Sequence, residues 1–246
     1  NNMIPTIPFM EDLQGLPIIH IRHVPLTNMF NATMKRLVDI AGAVFGLVIF
    51  SPIMLLTALL VKVTSPGPVL YSQERVGLHN HTFKMYKFRS MEVQDPKKER
   101  SQWTTPHDPR VTPIGKFIRK TSIDEMPQFF NILVGDMSLV GPRPERPLFV
   151  EKFKEEIPRY MIKHQVRPGL TGWAQINGRD ELEIPVKAKL DGEYVAKLRK
   201  GSLSGFLMDT RCFFGTIVSV LRSDGVVEGG TGEMKKQREK KAGKQS

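Results

Sequence analysis

Asp124 and Glu125 are adjacent carboxylates that follow directly on the basic run Gly115-Lys116-Phe117-Ile118-Arg119-Lys120-Thr121-Ser122-Ile123. Free Asp and Glu side chains ionise near pH 3.9 and 4.3, so both are expected to be charged at neutral pH. Arg119 and Lys120 would favour that state further. An ionised aspartate can act as a nucleophile, and a neighbouring carboxylate supplies the oxygen ligands that Mg²⁺ prefers. A plainer reading stands beside this one. Ser122-Ile123-Asp124-Glu125 fits the S-x-x-E capping box, and acidic residues suit the first turn of a helix. Pro127 complicates it, because proline prefers the first helical position and would start the helix later. Taken alone, the motif favours capping over catalysis.

Its surroundings are unusual. Gly141-Pro142-Arg143-Pro144-Glu145-Arg146-Pro147 is a proline-stiffened segment that presents guanidinium groups, whose planar fork matches phosphate. Lys84, Lys87 and Arg89 alternate near a strand, and a period of two places Lys87 and Arg89 on one face. Arg167, Gln175, Asn177 and Arg179 flank the Gly-rich run Pro168-Gly169-Leu170-Thr171-Gly172-Trp173, where glycine permits close backbone approach to a ligand. Each basic residue alone reads as a solvated surface group. Together, with two carboxylates, they describe a site for a phosphate-rich substrate. Other chemistries lack their residues. The chain has no G-x-x-x-x-G-K-[ST], no G-x-G-x-x-G, no HExxH and no paired CxxC. His79 and His81 fall in an expected turn, and His164 reads as a hydrogen-bonded structural residue.

The longest element that must position this chemistry is apolar. Leu37 to Val61 reads LVDIAGAVFGLVIFSPIMLLTALLV, enough to span a bilayer, which needs roughly 20 apolar residues. Proline removes one helical hydrogen bond, so a kink is expected at Ser51-Pro52. Each arm then has about a dozen residues, roughly 18 Å, little more than half of a hydrocarbon core about 30 Å thick. Such a helix could enter one leaflet and return. Lys35 and Arg36 precede the run and Lys62 follows it, so the positive-inside rule allows both ends on the cytoplasmic face. An ordinary spanning helix with a proline kink is the competing reading.

After the turn Ser65-Pro66-Gly67-Pro68, short strands are expected at Val69–Gln73 and Thr82–Phe88, and residues 92–112 read as a polar loop. Helices are expected over Ile114–Lys120, Met126–Leu133, Glu145–Lys163 (with Pro158 able to split it), Ile184–Leu198 and Leu203–Leu221. The last has a broad apolar face suited to a membrane interface or to a core. The fold class is α/β, mostly helical with a small β element.

The net charge of +11 and pI near 9.8 point to an anionic partner: nucleic acid, anionic lipid or a phosphorylated substrate. The single cysteine, Cys212, rules out an internal disulfide and reads as a packed thiol.

At this point the residues resemble a known family. Lys35-Arg36-Leu37-Val38-Asp39, Ser51-Pro52, Tyr86-Lys87-Phe88-Arg89-Ser90-Met91, Thr121 to Gln128, Asn131-Ile132-Leu133, Gly135 to Pro144 and Val166 to Arg179 are similar, in order, to the bacterial sugar transferases. These are the monotopic polyprenyl-phosphate phosphoglycosyl transferases with one re-entrant helix. The resemblance covers about residues 34 to 222. It implies a division into a linker or the end of an upstream domain (1–33), a re-entrant membrane helix (34–63), a catalytic domain (64–228) and a disordered basic tail (229–246). The opening Asn-Asn and the linker suggest the C-terminal catalytic part of a large-type member.

The implied reaction gives sugar-1-phosphate from a UDP-sugar to polyprenyl phosphate, releasing UMP, by a ping-pong route through a phosphoglycosyl-aspartate. Asp124 would be the nucleophile, and Glu125 with Asp124 would hold Mg²⁺. Arg119, Arg143 and Arg179 would bind phosphate or nucleotide, with Lys87, Arg89, Gln175 and Asn177 as further substrate-binding candidates. Lys35, Arg36 and Asp39 would anchor the helix at the membrane surface, and Ser51 and Pro52 would break it. Implied partners are the UDP-sugar, polyprenyl phosphate and membrane lipid at the cytoplasmic face of the bacterial inner membrane, with no nucleic acid. A homo-oligomer stays open. So do the sugar and the downstream exopolysaccharide, capsule or O-antigen. The competing class is a membrane-anchored basic binding or scaffold module without catalysis, which leaves the Asp124-Glu125 pair unexplained.

Overall fold

The computed structural model describes residues 8–13, 16–21, 29–92, 108–178 and 182–222. Their architecture is mostly helical, with strands in two-stranded sheets. β1 (Pro8–Leu13) and β2 (Leu16–Ile21) form an antiparallel pair ahead of the long helix α1 (Met29–Thr64). β3 (Leu70–Val76) and β4 (Thr82–Phe88) pair antiparallel, with Tyr71 opposite Lys87. α2 (Pro113–Lys120) and α3 (Gln128–Val134) flank the turn that carries Asp124 and Glu125. β5 (Ser138–Val140) pairs in parallel with β6 (Gly169–Thr171). Between them lie α4 (Pro147–Glu156) and a 3₁₀ segment (Tyr160–Gln165). α5 (Trp173–Ile176), α6 (Ile184–Arg199) and α7 (Ser202–Arg222) complete the chain.

α1 is helical from end to end, with Pro52 inside it. One stripe of it faces the domain. Asp39, Ala43, Gly46, Phe50, Met54, Thr57 and Val61 are buried or half-buried and recur every three or four residues. That is the spacing of a single helical face, and it runs on past Pro52. Ala43, Leu47 and Phe50 pack on Phe129 and its neighbours, while Met54, Ala58 and Val61 pack on Phe88 and Ile118. Glycine lets the backbones close up. A Cβ on Gly46 would lie 2.7 Å from the Phe129 ring, and one on Gly42 would lie 2.5 Å from Leu139. The remaining faces expose Val44, Phe45, Val48, Ile49, Leu55, Leu56, Leu59, Leu60 and Val63. So continuous an apolar surface is unsuited to water.

The polar residues of α1 grip the domain. Asp39 is 3 % exposed, and its Oδ1 accepts from Ser138 Oγ and from the Leu139 N–H, both at 2.9 Å. Arg36 donates to the carbonyls of Ile132 and Leu133 at 2.5 and 2.6 Å, where α3 ends at the left-handed Gly135. A cation there satisfies carbonyls that the helix itself leaves unpaired. At the other end of α1, the Arg89 guanidinium donates to Ser65 O (2.7 Å), Ser65 Oγ (2.8 Å) and Pro66 O.

Elsewhere the sequence-based elements hold, with shifts of a few residues at their ends. Proline splits the expected Glu145–Lys163 helix into α4 and the 3₁₀ segment. The Gly-rich stretch, expected to be irregular, contains β6 and α5. Most of the 92–112 loop, Trp103 and the 229–246 tail lie outside the described residues.

Removing the Asp39 carboxylate strands a buried hydroxyl and a backbone N–H. Leaving such groups unpaired costs about 1–3 kcal/mol. Asp39→Ala is therefore expected to lower Tm by roughly 3–10 °C at about 2–4 °C per kcal/mol. Asp39→Asn, which keeps an acceptor oxygen, should lose less. An unchanged Tm in Asp39→Ala, read by a thermal melt in detergent, would contradict this docking of α1.

Candidate active site

The dyad sits on a sharp reversal between two helices. α2 starts at a clear signal: the Thr112 hydroxyl accepts from the Gly115 N–H at 3.0 Å, and Pro113 occupies the first helical turn. It ends in Arg119 and Lys120. Ser122 then turns the chain with left-handed backbone angles, φ 57° and ψ 17°. A non-glycine residue there stores strain, a feature that clusters at functional sites. One 3₁₀ turn, Ile123–Glu125, carries both carboxylates before Pro127 leads into α3. Ser122 makes no side-chain cap to this turn, so the capping box is not formed. The Glu125 side chain points to cations instead.

Glu125 Oε1 accepts from Lys87 Nζ at 2.8 Å and from Arg143 Nη2 at 2.7 Å. Both carboxylates are nearly buried. Asp124 has its pKa raised to about 6, chiefly by burial, with Glu125 adding to the rise and Lys87, Arg119 and Arg143 opposing it. The sequence-based expectation had basic neighbours holding Asp124 low. Burial reverses the direction, because the low-dielectric site penalises the charged form more than the cations repay. At pH 7 Asp124 is still mostly ionised, against the penalty that burial places on its charge.

Each cation is delivered by its own support. Lys87 lies on β4, which is tied to α3 by Asn131: its Oδ1 accepts from the Tyr86 N–H at 3.0 Å and its Nδ2 donates to Lys84 O at 2.8 Å. Arg143 sits on the proline-stiffened segment after β5. That segment is pinned by backbone bonds from Gly141 N to Thr171 O (2.8 Å) and from Gly169 N to Pro142 O (2.9 Å). Arg75 of β3 holds its far end, donating to Pro144 O at 3.0 Å and facing Glu145 at 3.6 Å. Asn131 and Arg75 were not among the sequence-derived site residues. No local signal marks either as a support, since their partners are dozens of residues away.

The structure thus brings together Asp124, Glu125, Lys87, Arg119 and Arg143. Arg89 is not brought there. β4 ends at Phe88, and the Arg89 side chain turns to the end of α1 instead of sharing a face with Lys87. Asn177 donates to Trp173 O at 2.7 Å, a local contact at the end of α5. Gln175 is buried, and its amide has no hydrogen-bond partner on either atom. Arg179 lies outside the described residues. Lys35, Arg36 and Asp39 bond to the domain, and Ser51 Oγ donates to Val48 O at 2.8 Å within α1. The His164 Nδ1–H donates to Asn80 Oδ1 at 2.8 Å, and burial lowers the His164 pKa to about 4. It is neutral at pH 7, in keeping with a structural role. Burial lifts the Cys212 thiol to about 12, which leaves it unreactive.

The donor set suits a hard divalent cation. Asp124 and Glu125 offer neighbouring carboxylate oxygens, and a cation would relieve the burial penalty on Asp124. No group of three His, Cys, Asp or Glu side chains poised for a metal occurs among the described residues. Mg²⁺ held here would complete its shell with phosphate oxygens and water, as it commonly does.

The family model for bacterial sugar transferases matches residues 30–223. The chain is 46 % identical over 197 residues to the UDP-N-acetylgalactosamine-undecaprenyl-phosphate N-acetylgalactosaminephosphotransferase of Aeromonas hydrophila, covering 79 % of this chain and 45 % of that protein. It is 44 % identical over 191 residues to the UDP-glucose:undecaprenyl-phosphate glucose-1-phosphate transferase of Escherichia coli (strain K12), covering 76 % and 41 %. The chain therefore spans less than half the length of these two relatives. It is also 40 % identical over 196 residues to the exopolysaccharide production protein PSS of Rhizobium leguminosarum bv. phaseoli, covering 76 % of this chain and 95 % of that protein. With the match spanning α1, the dyad and the Arg143 segment, the chain belongs to the bacterial sugar transferase family.

Proposed function

We propose that this chain transfers sugar-1-phosphate from a UDP-sugar to polyprenyl (undecaprenyl) phosphate, initiating polysaccharide synthesis. The observation that carries the proposal is the buried Asp124-Glu125 pair with Lys87 and Arg143 on Glu125. The names of the Aeromonas and Escherichia relatives support the substrate classes, and that of the Rhizobium protein supports the polysaccharide setting. The first two are named for different sugars at nearly equal identity, so the donor sugar is left to experiment.

Asp124 is the nucleophile. An Asp124 oxygen attacks the phosphorus that bears the sugar. The bond from that phosphorus to the bridging oxygen breaks, and its electron pair leaves with UMP. A phosphate oxygen of the polyprenyl acceptor then attacks the same phosphorus, the bond from phosphorus to the Asp124 oxygen breaks with its electron pair returning to the carboxylate, and the polyprenyl-diphosphate sugar is formed. No proton needs to move in either step. The obstacle is charge, because anionic phosphate oxygens repel an anionic nucleophile. Arg143, Lys87 and Arg119 offset that repulsion and hold the phosphate oxygens of the departing UMP. Glu125 keeps Lys87 and Arg143 in place. Asp124 and Glu125 would hold Mg²⁺, which would supply further charge neutralisation there. Covalent catalysis lets a water-soluble donor and a lipid acceptor use one site in turn.

α1 delivers the site to the lipid. We read it as re-entrant, with both ends on the cytoplasmic face of the inner membrane and residues 64–228 as the catalytic domain. Two observations support this. The stripe of α1 that packs on the domain lies on both sides of Pro52, so a spanning helix would draw α2, α3 and β4 into the bilayer with it. A straight helix of 36 residues would also run roughly 54 Å, well beyond a hydrocarbon core of about 30 Å.

The purified protein is expected to release UMP from one member of a UDP-sugar panel when given Mg²⁺ and polyprenyl phosphate. Release should vanish with a chelator and in Asp124→Asn. Turnover persisting in that variant would remove Asp124 as nucleophile. The rate should also fall as pH drops through about 6, where Asp124 takes up its proton. A flat profile from pH 7.5 to 5 would contradict a nucleophile of raised pKa.

The same shift has a cost in stability. The folded state binds the Asp124 proton more tightly than the unfolded chain, so ionisation destabilises the fold above about pH 6 and stops doing so below 3.8. Two pKa units correspond to about 3 kcal/mol. Asp124→Asn is therefore expected to melt several degrees higher than the parent at pH 7.5, with the gap closing as pH falls toward 4. A lower Tm at pH 7.5 would show that the attraction of the cations outweighs burial.

A further inference from the structure

Two helices donate to one backbone carbonyl, that of Val140, and a third accepts from both donors. Lys35 of α1 donates to it at 3.2 Å and to Asp209 Oδ2 of α7 at 2.6 Å. The Tyr194 hydroxyl of α6 lies 3.0 Å from the same carbonyl and 2.7 Å from Asp209 Oδ1. Tyr194 is 1 % exposed, and the Lys35 and Asp209 side chains are largely withdrawn from water. Apolar residues of similar size could fill this space without the desolvation cost of a charged pair. A polar junction of this kind specifies one geometry.

The geometry it specifies is that of Arg143. Val140 ends β5, and Arg143 follows three residues later with its guanidinium on Glu125. The intervening residues have little freedom. Gly141 is bonded to β6, and a Cβ there would lie 2.4 Å from Arg167 O. Arg75 fixes the far side at Pro144. Arg143 is thus suspended between two clamps. One belongs to β3. The other is built from α1, α6 and α7, of which α1 and α7 expose wide apolar faces.

We propose that Lys35, Asp209 and Tyr194 form a positioning device that sets the reach of Arg143 to the nucleotide diphosphate. Correct seating of α1 and α7 is then a condition for the site to work. None of the three touches the reacting atoms; they act through Val140 and the segment behind it. The inference rests on the phosphoglycosyl-transfer reading for its consequence and on the contacts at Val140 for its geometry.

The test uses Tyr194→Phe and Asp209→Asn, each made in the parent and in Arg143→Ala, with two readouts. Hydrogen exchange followed by mass spectrometry reads 141–147 through its non-proline amides, above all the Gly141 N–H bonded to Thr171 O. Faster exchange there, with β3 and β4 unchanged, is expected in both variants. UMP release reads the consequence. A loss of about tenfold is expected in the parent background, matching one hydrogen bond to a charged group. In Arg143→Ala the further loss should be under about twofold, because the route to the chemistry is already cut. Equal losses in both backgrounds would mark a general structural defect and overturn the proposal. Unchanged exchange at 141–147 would overturn it whatever the activity. A parent that releases no UMP from any donor would remove the functional reading instead, and the exchange readout would still decide the coupling.

Discussion

Two carboxylates next to each other and nearly buried repel one another, and burial strips away the water that would screen them. The site depends on how that repulsion is offset. Lys87, Arg119 and Arg143 come from β4, α2 and the segment after β5, so three separate parts of the chain must converge on one 3₁₀ turn: Lys87 and Arg143 bond to Glu125, and Arg119 acts on Asp124 through its charge. Glu125 takes two of these cations on a single oxygen. Asp124 keeps a raised pKa near 6 and remains mostly ionised at neutral pH. The pair divides the work: Glu125 orders the positive groups, and Asp124 is held as a desolvated anion next to them. That is the state in which an oxygen nucleophile is most readily drawn to a phosphorus once metal and arginine cover the phosphate charge.

The same convergence explains why the membrane helix cannot be separated from the chemistry. α1 lays one stripe along the domain on both sides of Pro52, with glycines at the tightest approach and an aspartate capping the start of β5. Arg36 closes α3, and Arg89 of the domain closes α1. Helix and domain exchange their unsatisfied carbonyls for each other's guanidinium groups. The apolar faces left over on α1 and α7 are the largest exposed hydrophobic surfaces among the described residues, and a lipid acceptor of the proposed reaction would approach along them.

Much of this was legible in the residues. The apolar run, the dyad, the proline-bounded Arg143 segment and Lys87 each carry a local signal, and α2 starts at Thr112-Pro113 as capping chemistry requires. What was not legible depends on tertiary placement. Period-two alternation put Lys87 and Arg89 together, but the strand stops between them and Arg89 turns to α1. The charges flanking the apolar run carry no local sign of their partners: Lys35, Arg36 and Asp39 bond to carbonyls, a hydroxyl and an N–H between 96 and 105 residues away in sequence. Asn131, Tyr194 and Asp209 have ordinary local contexts and gain meaning only from partners far along the chain. The direction of the Asp124 shift followed the same rule: adjacent charges are visible in sequence, whereas burial is not.

The central claim is that Asp124 carries the sugar phosphate between donor and acceptor. Its most direct test is intact-protein mass spectrometry after mixing the enzyme with its UDP-sugar and Mg²⁺ in the absence of polyprenyl phosphate. The account predicts one equivalent of UMP released in a burst and a protein heavier by one sugar phosphate, mapped to Asp124 and discharged when the lipid acceptor is added. A protein of unchanged mass that still turns over once both substrates are present would contradict it, and would make the reaction a direct transfer with Asp124 in another role.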